Sequence, residues 1–173
     1  TDEGITGVGE TDTGPWIAKS VIESPGSHSM ALGIKDLLIG QDPLQTSALW
    51  QKMYVGTCMS TRRGAGMCAI GAIDMALWDI KGKALNQPVY KLLGGAQVNH
   101  IVPYASLQPH GDTVEQYRDS LVKWLLLTKE HGFQAAKLEC TLGGPYAHTG
   151  LQGTDEEMTE IITACREAVG KEF

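Results

Sequence analysis

The sequence predicts an α+β region ending near residue 95, followed by alternating strands and helices of the kind that build a parallel sheet. Three observations carry this. Residues 64–83 are apolar around almost their whole circumference, with Met67, Ile70, Ile73, Leu77 and Ile80 separated by Ala and Cys; a helix apolar on all sides is expected to be buried on all sides. The pattern changes after Gly94 and Gly95. Beyond them, Thr113-x-x-Gln116 and Thr154-x-x-Glu157 each have the spacing of a capping box, and each follows a short apolar stretch.

Along the chain, residues 1–11 alternate around Gly4, Gly7 and Gly9 after an Asp-Glu-Gly turn signal, which predicts the end of a hairpin. Asp12 stands where a dinucleotide fingerprint would need its third glycine, so no phosphate loop is read there. From Thr13 to about residue 92 the signals are helical. Asp42 and Pro43 have the composition of an N-cap and first helical position, and Leu49, Trp50, Met53 and Tyr54 follow at helical spacing. Asp79 and Lys83 stand four apart in the order that favours an ion pair.

In the second region, residues 101–106 and 134–140 are strand candidates, and Pro103 is anomalous in the first because it cannot donate to a ladder. The intervening helix is expected to bury Val114, Tyr117, Leu121, Trp124 and Thr128 and to end at Gly132. The last helix is expected to bury Met158, Ile161, Ile162, Cys165 and Val169. Two parallel strands cannot cover both faces or remove their own edges, so the chain reads as incomplete.

The 173 residues carry a net charge of −6 with scattered basic residues, which argues against a nucleic-acid surface. Cys58, Cys68, Cys140 and Cys165 form no CxxC pair, and reduced cysteines in apolar stretches fit a cytoplasmic protein. No run is long enough to cross a membrane.

The segment AIGAIDMALWDIKGKALNQPVYKLLGG, residues 69–95, resembles the signature of the mandelate racemase and muconate lactonizing group of the enolase superfamily. ITGVGE (5–10), LLIGQDP (37–43) and PYAS (103–106) resemble flanking segments of that family in the same order. The resemblance implies an α+β capping domain over residues 1–95, with its first strands missing. It then implies the start of a TIM-type (β/α) barrel, two of eight βα units, over residues 96–173. It further implies proton abstraction next to the carboxylate of a small substrate such as an acid sugar, with Mg²⁺ held by ligands downstream, and a homo-oligomer. The expected reaction is acid-sugar dehydration. Racemisation, epimerisation or cycloisomerisation within the same superfamily is the alternative, and a catalytically silent fragment is a third.

Lys137 and Glu139 are the candidate catalytic residues. On a strand they share one face, opposite Ala136, Leu138 and Cys140, about 7 Å apart along the chain. Taken alone, the pair reads as an ion pair at a barrel rim. In the family the second strand often ends Lys-x-Lys, the first lysine touching the substrate carboxylate and the second acting as base. Lys137 matches the first position and Glu139 replaces the second, which suits Lys137 to a charged, substrate-binding role. Tyr146 and His148, in the loop after this strand, are the other candidate substrate contacts, with His148 also a candidate acid. His28, His100, His110 and His131 read as structural or surface residues.

Overall fold

The computed structural model describes residues 1–144 and 151–173. The chain divides into two compact units, Thr1–Gln97 and Val98–Phe173.

The first unit contains α1 (Pro15–Glu23), α2 (Ile34–Leu38), α3 (Thr46–Gly56), α4 (Ala65–Ala84) and α5 (Val89–Leu92). Five of the residues of helix α4 are Ala, the residue that loses least on entering a helix. Lys81 and Lys83 in its last turn oppose the negative end of its dipole. Asn86, at φ 49°, turns the chain out of it, and the Gln87 amide donates to the Gly82 carbonyl at 2.9 Å to close the end. The core of this unit is Ile34, Leu49, Met53, Ala69, Ile70 and Leu77, with Ile73 half-buried beside it. Helix α4 is therefore buried along one stripe and not on all sides: Met75 is 46% exposed, because no element among the described residues covers that face.

Two further expectations for this unit are corrected. Residues 1–11 contain no strand. Gly7 and Gly9 instead let the extended segment lie on the backbone of α4, where a Cβ on Gly9 would come within 1.8 Å of the Ala72 carbonyl oxygen and one on Gly7 within 2.1 Å of that of Ala76. The Val8 amide donates to Asp79 Oδ2 at 2.8 Å, and Lys83 Nζ donates both to the Thr6 carbonyl at 2.8 Å and to Asp79 at 2.7 Å. The expected ion pair is thus also the clasp that holds the segment. Asp42 and Pro43 do not open α3: Asp42 accepts from the Leu44 amide at 2.9 Å in a local turn, and the helix starts at Thr46.

The second unit runs β1 (Ala105–Leu107), α6 (Val114–Glu130), β2 (Ala136–Leu138) and α7 (Asp155–Val169). The two strands pair in parallel, Ala105 with Ala136, Ser106 with Lys137 and Leu107 with Leu138. Both are shorter than expected. The first begins after Pro103, whose missing N–H could not join the ladder, and Ala105 makes its first rung by donating to the Ala135 carbonyl at 3.1 Å. Thr113 caps α6 by accepting from the Gln116 amide at 3.2 Å, while the Gln116 side chain reaches back to Asp112 rather than to Thr113. Thr154 and Glu157 form the complete reciprocal box on α7. Gly132, at φ 83°, takes the left-handed position after α6.

Tyr117, Leu121, Leu125, Leu142, Ile161, Cys165 and Val169 form the core of this unit. Leu125 takes the place expected of Trp124, which is 40% exposed, and Ile162 is 50% exposed. In each case the helix is rotated toward the neighbouring position of its stripe. Among the described residues no helix is long and apolar enough to cross a membrane.

Candidate active site at the end of the second strand

Strand β2 alternates as its composition requires. Ala136 and Leu138, with Cys140 beyond the strand, pack on the apolar core, which turns Lys137 and Glu139 to the other face. The structure brings these two together: Lys137 Nζ lies 3.3 Å from Glu139 Oε1, with the lysine side chain 52% exposed and the glutamate 22%. The strand order makes the pairing possible, since residues i and i+2 of a strand stand on one face and long side chains span the gap. In a site this open the pair contributes little stability, at most about 1 kcal/mol. Its chemical content is an ammonium beside a carboxylate, able to hold an anion and to accept a proton.

The parallel register adds a residue that composition did not single out. Ser106 is paired with Lys137 and is exposed, so its hydroxyl stands on the same face. The signal was present in the alternation of PYASLQ, but it becomes usable only when the register between the strands is known. The Glu139 amide donates to the Leu107 carbonyl at 3.2 Å as the last rung of the ladder.

Beyond Glu139 the chain leaves the sheet and enters the loop that precedes α7. Its root is built: Leu142 is buried, its amide contacts Met158 Sδ at 3.5 Å, and the Gly143 amide donates to the Leu151 carbonyl at 2.7 Å. Tyr146 and His148 lie outside the described residues. His28 is exposed with Nδ1 accepting from the Met30 amide at 3.2 Å, which leaves its proton on the other ring nitrogen. His131 is exposed with Nδ1 2.8 Å from the Leu127 carbonyl, and His100 and His110 are exposed.

The four cysteines are free. Cys165 is buried, and burial first, then the neighbouring Cys140, pushes its thiol up to about 11, so it remains protonated and unreactive at neutral pH. Among the described residues no group of three or more His, Cys, Asp or Glu side chains could hold a metal ion. Glu139 alone, beside a competing ammonium, does not fit Mg²⁺, which needs several oxygens converging on one point. A cavity of about 680 Å³ lies in the first unit against Ile5, Leu38, Ile39 and Ile80. It holds none of the candidate residues.

The sequence matches the profile of the mandelate racemase / muconate lactonizing enzyme N-terminal domain over residues 1–94. It is 39% identical over 153 residues to a D-mannonate dehydratase of Sphingomonas sp., covering 87% of this chain and 34% of that protein. The structure is similar to that of the 3,6-anhydro-D-galactonate cycloisomerase from Zobellia galactanivorans, with a TM-score of 0.80 and 34% identity over 100% of this chain and 42% of that one. It is also similar to a racemase from Streptomyces coelicolor solved with bound magnesium, with a TM-score of 0.76 and 27% identity over 100% of this chain and 43% of that one. The chain spans about a third of the length of the curated relatives it matches.

Proposed function

Because this chain belongs to the mandelate racemase / muconate lactonizing enzyme family, with the family's N-terminal capping domain followed by the start of its barrel, we propose that the intact protein is an acid-sugar dehydratase. The observation that carries this is the Lys137–Glu139 pair, 3.3 Å apart on the polar face at the C-terminal end of β2, the end at which barrel enzymes place their chemistry. Lys137 binds the substrate carboxylate. An ammonium there lowers the cost of the charge that builds on that carboxylate as the neighbouring C–H loses its proton. Glu139 is within reach of the same position and is the candidate acceptor for that proton. Loss of the hydroxyl on the next carbon, protonated as it leaves, completes a dehydration and gives a 2-keto acid after tautomerisation.

Magnesium is the cofactor of this reading, as in the racemase solved with it. No group of three or more His, Cys, Asp or Glu side chains among the described residues could hold it. Four free cysteines favour a reducing, cytoplasmic setting. Exposed apolar residues on α1, with Trp16 at 76% and Ile17 at 54%, favour a homo-oligomer. Cycloisomerisation is the second reading, and the similarity to the Zobellia cycloisomerase favours it. Both readings share the first proton abstraction.

The test uses the intact protein with Mg²⁺ and a panel of acid sugars that includes D-mannonate, D-galactonate and galactarate. Formation of a 2-keto acid is followed alongside exchange of the carbon-bound proton with D₂O. Dehydration of an open-chain acid yields the keto acid with loss of water, whereas cycloisomerisation of a cyclic anhydro acid, added to the panel, opens the ring to an isomeric keto acid with no water lost. Lys137→Met is expected to lower turnover on the order of a hundredfold or more. Glu139→Gln lowers it on the order of 10² to 10⁴ if the carboxylate is the base. Wild-type rates in the lysine variant, or no exchange on any member of the panel, would sink the reading.

A further inference from the structure

Lys137 on β2 and Glu139 just beyond it stand where the strand stops being held by its ladder. Leu138 is the last strand residue, and the Glu139 amide makes the last rung. From there the backbone needs other partners, because a carbonyl turned inward without one is costly. Tyr117 supplies them. It lies on the buried stripe of α6, is 0% exposed, and is among the largest fully buried side chains in the chain. Its hydroxyl oxygen lies 3.2 Å from the Glu139 carbonyl oxygen and 3.4 Å from that of Thr141. A phenol has one proton, so the two carbonyls share a single donor. Ring and hydroxyl have separate roles: the ring fills the core with Leu121 and Leu142, and the hydroxyl ties helix to strand end.

We propose that Tyr117 is a positioning residue for the active site: its hydroxyl fixes the backbone of Glu139 and Thr141, and so sets both the direction of the Glu139 carboxylate toward Lys137 and the root of the loop that follows. The proposal rests on the reading of Lys137 and Glu139 as the site. Its physical basis is leverage. The Glu139 side chain leaves a backbone with the ladder on one side and this hydroxyl on the other, so a small rotation at residue 139 moves the carboxylate by the length of its side chain. Two residues later the same donor meets Thr141, immediately before Leu142 is buried and Gly143 bonds Leu151. The direction of ionisation supports the role. Burial first, then the charge at Cys140 and Glu139, raises the Tyr117 phenol above its usual value, so the hydroxyl keeps its proton and remains a donor through the neutral range.

The experiment compares three variants of the intact protein. Tyr117→Phe deletes the hydroxyl and keeps the ring. Ile161→Val trims the same core away from the loop root. Lys137→Met removes the proposed carboxylate contact. For each, kcat and KM are measured separately across pH with an acid sugar that the wild type turns over, together with Tm and amide hydrogen exchange at residues 139–143. Tyr117→Phe is expected to lower kcat on the order of tenfold or more with a smaller change in KM, since misplacing a reacting group costs rate rather than binding. Exchange at residues 139–143 rises in the same variant. Ile161→Val lowers Tm and changes neither. A Tyr117→Phe enzyme that loses Tm alone, or whose kcat loss is matched by Ile161→Val, overturns the proposal while leaving the site in place if Lys137→Met is inactive. Wild-type rates in Lys137→Met remove the site itself, and the positioning role with it.

Discussion

The two units start their helices in different ways. In the second, α6 and α7 each begin at a threonine whose hydroxyl accepts from an amide in the first turn. In the first, none of α1 to α5 has a side-chain cap. The helices of the second unit follow loops that leave a sheet, and their first N–H groups must find a local acceptor. Those of the first unit are placed by what they pack against: α4 touches α1, α3 and α5, and α2 touches α1 and α3. Local signals therefore locate helices well in the second unit and only loosely in the first, where close packing decides.

The strongest way to break this comparison is to disturb close packing where no local rule is involved. Gly9→Ala puts a Cβ within 1.8 Å of a backbone oxygen of α4 that cannot move cheaply. It is expected to cost about 3 kcal/mol, at the upper end of overpacking effects. Gly71→Ala on the same helix meets nothing within 4 Å. It should be neutral or stabilising by up to about 1 kcal/mol through helix propensity. Denaturant titration of both variants checks the pair, and equal losses would show that the glycines near α4 are not there for close approach.

The caps provide the intermediate effect. Thr154→Ala removes one half of the reciprocal box and is expected to cost about 1 kcal/mol. Gln45→Ala, at the uncapped start of α3, should change stability by less than about 0.5 kcal/mol. A measurable loss at Gln45 comparable to that at Thr154 would erase the distinction between the units.

The smallest effect sharpens the comparison through pH. The Lys83 hydrogen bond first, then the Val8 amide, holds the Asp79 carboxyl below the ordinary carboxylate range. A carboxylate lowered on folding stabilises above its unfolded value and loses that contribution as pH falls through the folded one. Asp74 runs the other way, because burial raises it. The difference between the wild type and Asp79→Asn isolates the clasp. It should be constant at neutral pH and shrink as the solution is acidified below about 4. A difference that does not change with pH would mean that the charge on Asp79 does not hold the segment.

Much of the candidate site was legible in the sequence. A period-2 alternation put Lys137 and Glu139 on one face and Ala136, Leu138 and Cys140 on the other, and the structure packs the apolar three on the core. Ser106 was not legible, because its nearness to Lys137 depends on the register between strands separated by a whole helix. Nor was Tyr117, which composition marks only as one apolar position on a stripe; its contact with Glu139 spans 22 residues.

What the sequence by itself determined are the features decided within a turn or two of chain: the two threonine caps, the left-handed Gly132, the Asp79–Lys83 pair and the two faces of β2. Tertiary structure alone decided which side of α4 is buried, why Gly7 and Gly9 are glycines, and what holds the end of β2. Caps and alternation are set by backbone geometry over a few residues, so a local pattern can state them where the fold leaves the segment its own partners. Burial and close approach are relations between segments distant in the chain, and no local pattern states which partner will arrive.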